Sequence, residues 1–157
     1  MKATHEALPT RLDRLPSVDL PRVLVGASTT AASSSVAHAL REVGYVVNTA
    51  LTGADVLREL RNQKAIELLV FDGSDTPWLV AETIDAVRAI NWAMPIVLIL
   101  RHDPVLYAEA ERLGVEAILE VPVAADDIRR VATKLVPVVP ELEFKPASSR
   151  ADRGMAA

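Results

Sequence analysis

Short apolar runs alternate with helical periodicities through the middle of this chain. VLVG (23–26), YVVNTA (45–50), LLVF (68–71), IVLIL (96–100) and AILEV (117–121) each have the length and composition of a strand. Between them the apolar spacing changes to three and four. Val36, Leu40 and Val43 mark one face of a helix that Gly44 stops, and Thr52 is placed to cap a helix carrying Val56, Leu57 and Leu60. Thr76-Pro77 opens a helix whose inner face is Val80, Ile84 and Val87. Asp103-Pro104 opens the next, with Leu106, Ala110 and Leu113 inward and Gly114 at its end. Asp126 and Asp127 suit the first turn of a last helix, where the dipole favours them, and Ile128, Val131 and Leu135 face inward.

Strands without a polar face are buried on both sides, and strands separated by helices pair in parallel. The pattern therefore predicts an α/β protein, a five-stranded parallel sheet with helices on both faces. In such sheets the ligand crevice lies outside the carboxyl ends of the strands. Prolines frame the domain, with Pro9, Pro16 and Pro21 before it and Pro137, Pro140 and Pro146 after it. A compact domain is expected over 21–138. Residues 1–20 are read as a flexible N-terminal extension and 139–157 as a flexible C-terminal tail.

Composition narrows the function classes. The 157 residues are half apolar and about a quarter charged, the balance of a soluble globular domain. The absence of cysteine removes disulfides, thiolate chemistry and cysteine-based zinc sites. His5, His38 and His102 form no metal pair at helical spacing. The net charge of −4 is interleaved along the chain, without the basic patch that nucleic-acid binding needs. MPIVLIL (94–100) is too short to span a bilayer, and MKATHEALPTRLDRLP lacks the apolar core of a secretory signal. A cytoplasmic protein with neither nucleic-acid nor membrane partners is expected.

The third strand ends in an acidic residue, LLVFDGSD, which places Asp72 at the functional edge. A carboxylate there can ligate Mg²⁺ with other carboxylates, accept a phosphoryl group, or cap the following turn. Magnesium needs several oxygen ligands, and an aspartyl nucleophile needs that cation plus a donor such as lysine.

RVLVGAS (22–28), LREVGYVV (40–47), TALTGADVLREL (49–60), LLVFD (68–72), PIVLIL (95–100) and LGVEAILEVPV (113–123), in that order and spacing, resemble the receiver domain of two-component response regulators. The resemblance covers nearly the whole domain. It implies a flavodoxin-like (CheY-like), doubly wound sheet of strand order 2-1-3-4-5. It makes Asp72 the phospho-acceptor equivalent and allows a cis bond between Val121 and Pro122. The surrounding chemistry departs from the family. Ala27 and Ser28 stand where receivers carry their metal-binding acidic pair, Leu100 where they carry a hydroxyl, and Val121 where they carry a lysine. Ile118 occupies the position of the switch aromatic.

Removing one preorganised charge-stabilising donor costs roughly 3 to 4 kcal/mol of transition-state stabilisation, and several are missing here. Efficient phosphorylation of Asp72 is expected to fail. The expectation is a degenerate, pseudo-receiver domain with no catalytic residue, metal or cofactor, acting as a protein–protein interaction or scaffold module. Its partners would be signalling proteins or a second copy, engaged through the fourth helix, fifth strand and fifth helix. Tyr107, Glu111, Ile118, Glu120 and Arg130 are the candidate contacts on that face.

Three other readings compete. Asp72 can take backbone N–H groups of its own turn, with Asp75 engaged in helix-end chemistry. Asp72 can also act as a weak acceptor whose missing partners are supplied otherwise. GASTTAASSS (26–35) is similar to the FMN-phosphate loop of flavodoxins, which would make it an anion site with Trp78 against a flavin. Ala31, where a glycine is usual, opposes that reading, and the alternative is a solvated turn with a Ser or Thr N-cap. No Ser-His-Asp arrangement or nucleophile elbow supports a hydrolase. His38 falls on a polar helix flank and His102 in a loop.

Overall fold

The computed structural model describes residues 20–63 and 65–138. The extension and tail expected from the sequence lie outside them, apart from Leu20. Five strands, β1 (Arg22–Ala27), β2 (Val46–Ala50), β3 (Ile66–Asp72), β4 (Ile96–Leu100) and β5 (Ala117–Glu120), alternate with five helices. The helices are α1 (Thr30–Arg41), α2 (Gly53–Asn62), α3 (Val80–Ile90), α4 (Pro104–Arg112) and α5 (Ala125–Leu135). All strand pairs are parallel and the order is β2-β1-β3-β4-β5, as the resemblance implied.

Alternation along the strands divides the interior into two layers. Val23 and Val25 of β1, Leu68 and Val70 of β3, and Val97 and Ile99 of β4 pack against Val36 and Leu40 of α1 and Ile128 and Ala132 of α5. Leu24, Leu69, Phe71, Leu98 and Leu100 turn the other way, toward Val56 and Leu60 of α2, Ile84 and Val87 of α3 and Ala110 of α4. The apolar stripes read from the sequence are the inner faces of the helices. Val43, Leu57, Leu106, Leu113, Val131 and Leu135 are their half-buried margins.

Local signals set the element ends. Thr29, Thr52 and Asp103 accept N–H groups of the first turns of α1, α2 and α4, at 3.0–3.1 Å. Gly44 and Gly114, after α1 and α4, adopt φ of +119° and +77°, which a residue with a Cβ reaches only with strain. One helix start differs from the expectation. Thr76 makes no side-chain cap bond, and Pro77–Leu79 forms a 3₁₀ turn before α3 begins at Val80. The cause is a succession of three-residue steps after Asp72. Thr76 N donates to Gly73 O at 3.2 Å and Leu79 N to Thr76 O at 3.0 Å, so the chain enters α3 through a tighter coil.

Among the described residues no helix is long and apolar enough to cross a membrane.

Candidate functional site

The carboxyl ends of β1, β3 and β4 bring Asp72 beside Ala27 and Ile99, its Cα partners across the sheet. The Asp72 carboxylate folds back on its own turn. Its Oδ1 accepts Ser74 N at 2.9 Å and Ser74 Oγ at 2.6 Å, an Asx-type turn that holds a buried serine. Arg101, just past β4, reaches across to the same loop. Its Nε donates to Ser74 O at 3.2 Å and its Nη2 to Asp75 Oδ1 at 3.3 Å, so Asp75 serves a loop-to-loop ion pair. Neither of these Arg101 bonds goes to Asp72.

The other positions singled out from the sequence separate into buried and surface sites. Ala27 is buried and offers no oxygen from its side chain, while Ser28 is exposed. Leu100 is fully buried and belongs to the core layer beneath α3. Val121 is half-buried against the opposite layer, donates its N–H to Leu100 O at 2.9 Å, and is joined to Pro122 by a cis peptide. Of the positions matched to a receiver's Mg²⁺ site, only Asp72 carries a carboxylate, and one of its oxygens is already committed to Ser74. Among the described residues no three His, Cys, Asp or Glu side chains cluster as a metal site. The residues present do not fit that ion.

Beside Asp72 lies a cavity of about 210 Å³, lined by Ala27, Leu51, Phe71, Leu79 and Thr83 among others. Thr83 was not marked by the sequence reading, although it sits on the inner stripe three residues after Val80. In the 26–35 loop, Thr29 caps α1, and Ser28, Thr29, Thr30 and Ala31 are exposed. That is the solvated capped turn. Trp78 is 73% exposed and lines a separate groove with Val105 and Glu109, away from this loop.

A second polar cluster joins α4 to β5. Glu120 Oε2 accepts the Tyr107 hydroxyl and lies 2.9 Å from His102 Nδ1. The His102 and Tyr107 rings meet edge-on at 5.5 Å between centroids. The hydrogen bonds from Tyr107 and His102 hold Glu120 below the usual carboxylate range. Loss of hydration, and then the hydrogen bond and charge of Glu120, push the Tyr107 phenol up to about 12. Two of the residues expected on one face are thus in contact, and His102, which the sequence left in a loop, completes them. Glu111 is exposed, Ile118 is half-buried against the core, and Arg130 pairs with Asp127 on its own helix at 2.8 Å.

No family model and no curated protein sequence matches the chain. Solved structures do. The receiver protein of Pseudomonas putida superposes with a TM-score of 0.69 at 22% identity, over 75% of this chain and 99% of that one. Chemotaxis protein CheY4 of Vibrio cholerae gives 0.68 at 20% identity, over 75% and 100%. A CheY-like receiver domain protein of Methanospirillum hungatei gives 0.67 at 22%, over 74% and 94%. At these identities the likeness is one of architecture, and the chain has the CheY-like receiver fold.

Proposed function

We propose that the chain is a pseudo-receiver of two-component-type signalling, a cytoplasmic protein-interaction or scaffold module that works without phosphorylation and without an enzymatic activity of its own. The observation that carries this reading is the isolation of Asp72. Its neighbour across the sheet is Ala27, one of its oxygens is held by Ser74, and the guanidinium of Arg101, which reaches the same loop, is bonded to Asp75 and the Ser74 carbonyl. Phosphoryl transfer to a carboxylate needs a cation to neutralise crowded charge, and Ala27 and Ser28, at the positions matched to the acidic pair, offer no carboxylate to help Asp72 hold one.

The partner surface in this reading is that of α4, β5 and α5. The Tyr107–Glu120 bond ties α4 to β5, and Glu111, Glu120 and Arg130 are exposed on this face. Ile118 in place of an aromatic, packed against the core, accords with a surface that does not toggle.

The test is an amide NMR titration with Mg²⁺ and then beryllofluoride, a mimic of the aspartyl phosphate. The expected result is an unchanged spectrum around Ser28, Asp72 and Leu100 at millimolar magnesium. Shifts centred on those residues would return the protein to the switchable receivers, with Asp72 as a weak acceptor.

A further inference from the structure

The cavity beside Asp72 pairs an apolar wall with acceptors that have nothing to accept. Thr83 is only 7% exposed, yet among the described residues its hydroxyl makes no hydrogen bond. A Cβ placed on Gly53 would stand 3.1 Å from Thr83 Oγ1, so the hydroxyl lies on the side of α3 that faces the start of α2, where Gly53 also lines the cavity. Buried hydroxyls are almost always satisfied, and an unpaired one on a residue that lines a cavity leaves room for a partner there. Asp72, half-buried at the same cavity, also has a free oxygen. Its Oδ1 takes both bonds from Ser74, and among the described residues its Oδ2 takes none and faces no cation. No lysine, arginine or histidine lines the space. At the mouth, Leu51 and Leu79 are 44% and 39% exposed, an apolar rim left open to water.

We propose that this cavity binds a small primary ammonium compound with a short alkyl body. An ammonium carries three N–H donors and no acceptor, the complement of a carboxylate oxygen and nearby hydroxyls. Its bond to Asp72 is charge-assisted and therefore stronger than a neutral contact. The alkyl chain lies over Phe71 between Leu51 and Leu79 and removes their exposed surface from water. A carboxylate ligand meets an uncompensated like charge, and an alcohol of equal length satisfies the hydroxyls but leaves Asp72 unneutralised. The proposal is independent of the partner face, so either can fail without the other.

The experiment uses the full chain and three probes of one shape: n-butylammonium, n-butanol and n-butyrate. Amide NMR titrations follow Ser28, Leu51, Gly53, Asp72, Thr76 and Thr83. Butylammonium is expected to shift these amides at millimolar concentration, roughly tenfold more tightly than butanol, with butyrate silent. Asp72→Asn should weaken butylammonium by roughly tenfold, and the isosteric Thr83→Val by roughly threefold. Equal binding of the three probes, shifts confined to other surface carboxylates, or an affinity indifferent to Asp72→Asn would overturn the proposal. If Asp72→Asn does not fold, Thr83→Val and the comparison of probes decide it alone.

Discussion

Gly73 shows how tightly the turn after Asp72 is built. A Cβ there would lie 2.3 Å from Val80 Cγ2 and 3.3 Å from Leu100 Cδ2, both core atoms with nowhere to move. Gly73→Ala is therefore expected to destabilise the protein by about 1–3 kcal/mol, the usual cost of overpacking, read as a lower urea midpoint at unchanged m-value. The two tyrosines make a second residue-scale test, because the chain has only Tyr45 and Tyr107. Burial, with Glu67 adding, pushes the Tyr45 phenol up to about 12, and Tyr107 reaches about 12 as well. Both native values exceed the unfolded value of about 10, so the protonated phenols stabilise the fold. That contribution is full below pH 10 and is lost as pH rises through 12. The tyrosinate absorbance of the native protein should stay low at pH 10, where urea-unfolded protein is half ionised. A native curve that coincides with the unfolded one would contradict the burial of Tyr45 and the bond between Tyr107 and Glu120.

Among the elements, α4 is held through its N-terminal half by two side chains. Asp103 accepts the N–H groups of Val105 and Leu106, and Tyr107 ties the helix to Glu120 at the end of β5. Asp103→Ala is expected to cost about 1 kcal/mol in urea unfolding, as N-cap removals do. Glu120→Gln should act on the neighbour instead. Without the carboxylate, the Tyr107 phenol titrates closer to its ordinary value, and a pH series in the tyrosinate band detects it. Glu120 itself is a depressed carboxylate, so its contribution is present above its unfolded pKa and disappears as pH falls through the lower native value.

The capping of α4 was legible in the sequence, because Asp-Pro before a periodic stretch is a local signal. So were the apolar faces, whose period belongs to each helix alone. The Tyr107–Glu120–His102 cluster was not readable as a contact. It depends on β4 and β5 lying side by side, which sets Leu100 against Glu120 across the sheet. The 3₁₀ entry to α3 escaped for a related reason, since Thr76-Pro77 announces a helical start without its pitch. Arg101 was missed because its partner Asp75 sits at the end of another strand.

For the molecule as a whole, core residues fill two of the positions that the resemblance matches to a receiver's phosphoryl chemistry. By the resemblance, Ala27, Ser28, Leu100 and Val121 stand where receivers carry their phosphorylation groups. Two of these residues belong to the core: Ala27 and Leu100 are buried, Leu100 completely and in contact range of the turn that carries Asp72. Rebuilding an acidic pair therefore has unequal costs. Ser28→Asp places a charge on an exposed loop and should change stability little. Ala27→Asp buries a carboxylate beside Asp72 with no cation to offset it, and should lower stability markedly in the absence of metal. In the double variant Mg²⁺ has three carboxylates within reach of one site, and a ligand that binds only the folded state raises its stability by mass action. The expected signature is a melting temperature depressed in chelator and recovered at millimolar Mg²⁺, with no such recovery in the wild type or in Ser28→Asp alone. Recovery in the wild type would show that Asp72 already has a metal partner, and the case for a phosphorylation-independent module would fall with it. If the double variant does not respond, carboxylates at positions 27 and 28 are not enough to hold the cation beside Asp72.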